Sequence, residues 1–184
     1  IHHNRIANPL GSSIGGGGIS FQAGEKLALV DNDIHHNACL DSDSSGGGLR
    51  LYDATDVAIT RSRIYSNTCY ESTGISVSGS HDISMTNSLV AGNRATVSSG
   101  TDSTAGIRLS GSSMDMVHST IARNTGVLPA RGLYVGGDST LATTNTILVG
   151  HATGIEVFAG STATLEATLW GTGTWANTTD WAGS

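Results

Sequence analysis

The chain has 184 residues, with 38% apolar and 13% charged side chains, 25 Gly, 2 Pro and a formal charge of −6. That length suits one ordinary domain, and the scarcity of Pro excludes a Pro-rich linker or a collagen-like rod. The acid excess, with Lys26 the single lysine, argues against nucleic acid or an anionic membrane surface as partner. No apolar run approaches the ~20 residues of a membrane span.

Neither an initiator Met nor a basic-then-apolar leader stands at Ile1, so the chain reads as processed or excised from a longer protein. Its opening, Ile1-His2-His3-Asn4, returns as Ile34-His35-His36-Asn37, Ile64-Tyr65-Ser66-Asn67, Val90-Ala91-Gly92-Asn93 and Ile121-Ala122-Arg123-Asn124. It degrades to Leu148-Val149-Gly150-His151 and Trp170-Gly171-Thr172-Gly173. A second element alternates with it: Gly18-Ile19, Gly48-Leu49, Gly74-Ile75, Gly106-Ile107, Gly132-Leu133 and Gly154-Ile155. From each of these glycines to the next apolar anchor the distance is 16, 16, 16, 15, 16 and 16 residues. From each Asn-type position to the following Gly it is 14, 11, 7, 13, 8 and 3. A coil with a fixed wall and one adjustable turn produces that contrast.

Within the constant segment apolar residues alternate, as in Leu49-Arg-Leu51 then Val57-Ala-Ile59, and Ile107-Arg-Leu109 then Met114-Asp-Met116. Period 2 in short runs, broken by Gly, Ser, Asp and Asn, predicts strands and turns, and no window carries a helical period. The shortest repeat, 22 residues from Leu148 to Trp170, fits three short strands and their corners. The predicted fold is all-β: a single-stranded right-handed parallel β-helix of six to seven turns over residues 1–173, with 174–184 as a C-terminal tail or partial cap. A narrow stacked core accounts for the low apolar content and for only 5% aromatic residues.

Asn4, Asn37, Asn67, Asn93 and Asn124 share one repeat position, three after each anchor. A ligand-binding amide row would have no reason to recur every turn. A structural ladder of stacked amides is therefore expected. Cys39 and Cys69 each lie five residues after an anchor, on consecutive turns. Stacked strands about 4.8 Å apart suit a disulfide, and reduced cysteines serving as small apolar fillers are the alternative. Asp31 with Arg61, and Asp33 with Arg63, read as exposed cross-turn pairs.

Stacking the turns puts Ser20, Arg50, Ser76, Arg108, Tyr134 and Glu156 in one outward column, and Gln22, Tyr52, Ser78, Ser110, Gly136 and Phe158 in the next. Arg50, Tyr52, Arg108, Tyr134 and Glu156 are the candidate binding residues. A lone glutamate does not supply the carboxylate pair that glycoside hydrolysis needs, and no catalytic residue is assigned. His2, His3, His35 and His36 form two vertical pairs that read as solvent-facing strand residues rather than metal ligands, while His81, His118 and His151 are scattered. Asp41, Asp43 and Ser45 match the first half of a Ca²⁺ loop, although Tyr52 stands where its closing Glu belongs. No cofactor is expected, with calcium as the one alternative for which donors stand in a recognisable spacing, and a polar surface loop is the other reading of this segment. Asn177-Thr178-Thr179 has the form of a glycosylation sequon, and Thr162-x-Thr164 has no equivalent on other turns that would make an ice-binding array.

The alternation of an apolar-x-x-Asn element with elements such as Gly17-Gly18-Ile19 and Gly47-Gly48-Leu49 resembles the repeats of right-handed β-helix passenger and adhesin domains. The polymorphic outer-membrane proteins are one such group, with Ile or Val here where those carry Phe. More loosely, the chain is similar to the pectate-lyase-like superfamily, which implies a polysaccharide lyase or glycoside hydrolase as the alternative activity. Variable loops of 13, 10, 6, 12, 7 and 2 residues along one edge, without a carboxylate cluster, favour a non-catalytic scaffold or adhesive segment, extracellular or on the cell surface. Its expected partner is a polysaccharide or another surface protein. The first turn lacks its Gly-Ile strand, so that end is expected to be uncapped and to meet another chain, with end-to-end self-association as one outcome. Trp175 and Trp181 are expected to cover the other end or to begin a further turn.

Overall fold

The computed structural model describes residues 1, 3–6, 16–39, 44–97 and 103–183. These residues wind through parallel sheets, each coil contributing one strand to each sheet in turn. The first sheet stacks Ile19–Gln22, Leu49–Tyr52, Ile75–Ser78, Thr104–Ser110, Arg131–Gly136, Thr153–Val157 and Thr179–Gly183. The second stacks Glu25–Val30, Thr55–Thr60, His81–Thr86, Ser113–Val117, Thr140–Thr144 and Thr162–Glu166. The third stacks Asp33–His35, Arg63–Tyr65, Leu89–Ala91, Thr120–Ala122, Ile147–Val149 and Leu169–Trp170. The result is an all-β parallel solenoid of about six turns.

The longer coils differ from the three-strand expectation. Past the Asn corner they add a two-residue strand, and Arg5–Ile6, Ala38–Cys39, Thr68–Cys69, Arg94–Ala95 and Thr125–Gly126 make a fourth sheet. Only where the variable segment is shortest does the chain run directly from Ile147–Val149 to Thr153–Val157.

Alternation dictates the core. Leu49, Ile75, Ile107, Leu133 and Ile155 stand in register inside the first sheet. Val57, Ile83, Met114 and Leu141 do so inside the second, and Ile34, Ile64, Val90, Ile121 and Leu148 inside the third. All of these are at most 2% exposed. A single turn buries almost nothing, so the stability of each coil resides in its neighbours.

The invariant glycine before the first-sheet strand has a steric cause. A Cβ on Gly74 would sit 2.4 Å from the Gly106 carbonyl oxygen, and Gly48 and Gly132 meet the next coil's backbone in the same way. The coils pass too closely there for any side chain. At the corners into the second and third sheets buried serines take over. Ser62 Oγ accepts the Asn32 N–H at 3.1 Å and donates to the Thr60 carbonyl, and the Ser62 N–H donates to Ser88 Oγ in turn. Ser80, Ser112, Ser139 and Ser161 repeat the device at the other corner.

Beyond residue 173, Gly173–Trp175 forms a 3₁₀ turn, and Thr179–Gly183 then pairs with Thr153–Val157, placing Trp181 opposite Ile155. Cys39 and Cys69, both fully buried, are joined by a disulfide with a Cα separation of 4.6 Å.

Candidate functional site

The asparagine column is a continuous ladder. Asn37 Nδ2 donates to Asn67 Oδ1 at 3.0 Å, Asn67 to Asn93 at 3.0 Å and Asn93 to Asn124 at 2.9 Å. Each amide also spends its second N–H on an anchor carbonyl of the coil before, as Asn67 does on Ile34 at 3.0 Å. Each Oδ1 further accepts the previous rung's backbone N–H. The residue ahead of each asparagine from Asn4 to Asn124 sits in left-handed backbone, with φ of 54° at His36, 53° at Ser66 and 51° at Arg123.

Two rungs depart from the run of asparagines that the anchors mark. His151, which reads as scattered in the sequence, is a buried ladder member between Asn124 and Asn177. Asn177, not Gly173, occupies the next rung, with its Nδ2 on the Leu148 carbonyl and on Asp180 Oδ1, both at 2.9 Å. Its sequon form therefore coincides with a structural amide that is only 9% exposed.

The outward columns of the first sheet lie where the sequence puts them. Ser20, Arg50, Ser76, Arg108, Tyr134 and Glu156 are in register, as are Gln22, Tyr52, Ser78, Ser110 and Gly136. They group into two half-buried clusters. In one, the Arg50 guanidinium lies 4.9 Å from the Tyr52 ring centre, beside Ser76 and Ser45, whose hydroxyls are 3.5 Å apart. In the other, Arg108 lies 5.0 Å from the Tyr134 ring, which packs against Phe158 with centroids 4.6 Å apart.

Sequence reasoning misses the group that completes this second cluster. Arg131, at the foot of a variable loop, binds the Glu156 carboxylate and lies 5.7 Å and 5.8 Å from the Tyr134 and Phe158 rings. The signal was present in the register: Arg131 is opposite Thr153, three positions before Glu156 on the next coil. Glu156 is thus held as half of an ion pair, an arrangement suited to fixing the aromatic platform.

Asp41 and Asp43 of the calcium reading lie outside the described residues, and Ser45 alone of that trio is placed. His2 also lies outside them. His35 and His36 bring their Nδ1 atoms to 2.7 Å, His3 stacks on His36 at 5.4 Å, and His35 stacks on Tyr65 at 4.8 Å. Among the described residues no three His, Cys, Asp or Glu side chains converge as a metal site. Arg61 and Arg63 grip Asp31 and Asp33 with two hydrogen bonds each, of 2.5–2.8 Å. These bonds hold both carboxyls below their ordinary titration range.

The chain belongs to the family described as the right handed beta helix region, whose model matches residues 1–169. No curated protein matches it. Among solved structures it has a slight likeness to HetL, a pentapeptide repeat protein involved in heterocyst differentiation regulation from the cyanobacterium Nostoc sp. strain PCC 7120. That likeness has 11% identity and a TM-score of 0.16, covering 81% of this chain and 86% of that one, and a superposition so weak says nothing of this chain's role.

Proposed function

We propose that this β-helix is a non-catalytic, surface-presented scaffold whose first sheet binds an acidic polysaccharide along the coil axis. One observation carries the reading: Arg50 and Arg108 share a column two coils apart, each laid over a tyrosine ring, Tyr52 and Tyr134. Two strand spacings separate the guanidiniums' backbone positions by about 10 Å, the scale of a disaccharide. A guanidinium matches a carboxylate by charge and by paired donors, and a ring fixed beside it offers an apolar face to a sugar. The half-buried serines between them, Ser78 and Ser110, suit hydroxyl groups. Variable loops rise at the start of the same sheet, where they would select among chains. The buried disulfide supports an oxidising compartment, outside the cell or on its surface.

Affinity gel electrophoresis in polygalacturonate, alginate or a glycosaminoglycan tests the reading, with uncharged dextran as the control. Retardation by an acidic chain, lost in Arg50→Ala and Arg108→Ala, is expected. Equal migration of wild type and both variants in every acidic gel would refute it.

A further inference from the structure

We propose a second ligand site, on the outer face of the third sheet, for a neutral hydroxyl-rich glycan chain. Two adjoining concavities of about 380 and 500 Å³ open there and share Ala122 and Trp175. Their floor is a file of small or short side chains, Ala91, Ala122 and Val149, in register on successive coils. Tyr65 closes the trough at one end. At the other stand Ile147 and Leu169, and Trp175, 46% exposed, lies between, lining both concavities. Tyr65 and Leu169 lie on strands four spacings apart, about 19 Å, room for several sugar units end to end.

The sequence around Trp175 is built to hold it there. Gly171 admits the returning chain, since a Cβ at that position would collide with the Trp175 carbonyl. Gly173 takes a φ of 59°, which starts the 3₁₀ turn carrying the indole. The Arg123 guanidinium lies 3.5 Å from the indole ring centre and braces it.

Charge identifies the ligand class. Among the residues lining both concavities Arg123 is the only charged one, and its cation is laid on the indole. No carboxylate lines the trough among the described residues, and one guanidinium along about 19 Å could pair with only one carboxylate of a chain charged at every sugar, so the others would lose hydration without compensation. A neutral pyranose presents an apolar C–H face and a rim of hydroxyls. The indole and the Tyr65 ring meet the first, and Ser66, Thr120 and Thr172 along the rim meet the second. The site shares no residue with the arginine columns of the first sheet, so it stands or falls separately from acidic-chain binding.

The test is affinity gel electrophoresis and tryptophan-fluorescence titration of the full chain with hydroxyethyl cellulose, xyloglucan, galactomannan and laminarin. Trp175→Ala removes the exposed platform, and Ala91→Asp places a charge on the floor should the first variant fold poorly. Thr60→Ala on the second sheet is the control. Binding of at least one neutral polysaccharide, weakened tenfold or more by both trough variants and unchanged by the control, is expected. Binding of none of the four, or binding indifferent to both variants, overturns the proposal. So does a concentration-dependent dimer in sedimentation velocity that Trp175→Ala abolishes, which would assign the trough to a second copy of the chain.

Discussion

Asn124 Nδ2 donates to His151 Nε2 at 3.2 Å, so the imidazole fills the acceptor role that an asparagine Oδ1 plays on every other rung. Its Nδ1–H then takes the donor role, reaching Asn177 Oδ1 at 3.2 Å. Only the neutral imidazole with its proton on Nδ1 can do both. A proton on Nε2 would face the Asn124 N–H head on.

Burial, opposed only partly by the Asn177 hydrogen bond, pushes the His151 pKa down to about 4. Between the ordinary histidine value of about 6.5 and that lowered one, the unfolded chain takes up a proton that the folded chain refuses. Stability therefore falls as pH drops through this window and levels off below it, by about 3 kcal/mol in all. Urea unfolding of wild type and His151→Asn at pH 7.5 and 4.5 checks this. The variant should restore a uniform ladder and lose markedly less stability on acidification; parallel losses would assign the acid sensitivity to other groups.

Asn67→Ala removes a fully buried amide that serves two neighbouring rungs and the Ile34 carbonyl. Leaving those partners unsatisfied costs about 2–4 kcal/mol. The urea midpoint should drop accordingly. A change within error would mean that the corner rehydrates without loss.

Gly74→Ala should be at least as damaging, because the clashing atom is the backbone carbonyl of Gly106 and not a side chain that can swing away. Thermal unfolding by circular dichroism is the readout. An unshifted midpoint would show that the coils can separate locally at no cost.

The disulfide closes a segment of 30 residues, which by the chain-entropy model contributes about 3–4 kcal/mol. The unreduced, denatured protein should show no reactive thiol, and reduction should lower the unfolding midpoint. Two thiols per chain would remove both the crosslink and the argument for an oxidising compartment.

The fold is legible because stacking forces chemically similar residues to recur, and the recurrence can be counted. The same counting hides detail. From Gly74 the second corner lies at Ser80 and the anchor at Val90, from Gly106 they lie at Ser112 and Ile121, and from Gly132 at Ser139 and Leu148. The second-sheet strand shortens from six residues in His81–Thr86 to five in Ser113–Val117, and a later corner lengthens by one. Two local changes thus cancel in the Gly-to-anchor distance. Asn177 escaped for the opposite reason, because the 3₁₀ turn at Gly173–Trp175 interrupts a corner that spacing alone takes to be constant. The first-sheet columns follow from period 2 and the glycine register. The Arg131–Glu156 pair does not, because Arg131 precedes the glycine from which that register is counted.

Non-catalytic capture of an acidic chain is tested most directly by size-exclusion chromatography with multi-angle light scattering on the protein held overnight with a polyuronate of narrow size. Co-elution of protein with polyuronate of undiminished molar mass is the expected result. Separate elution of the two, or a falling polyuronate mass, would contradict it.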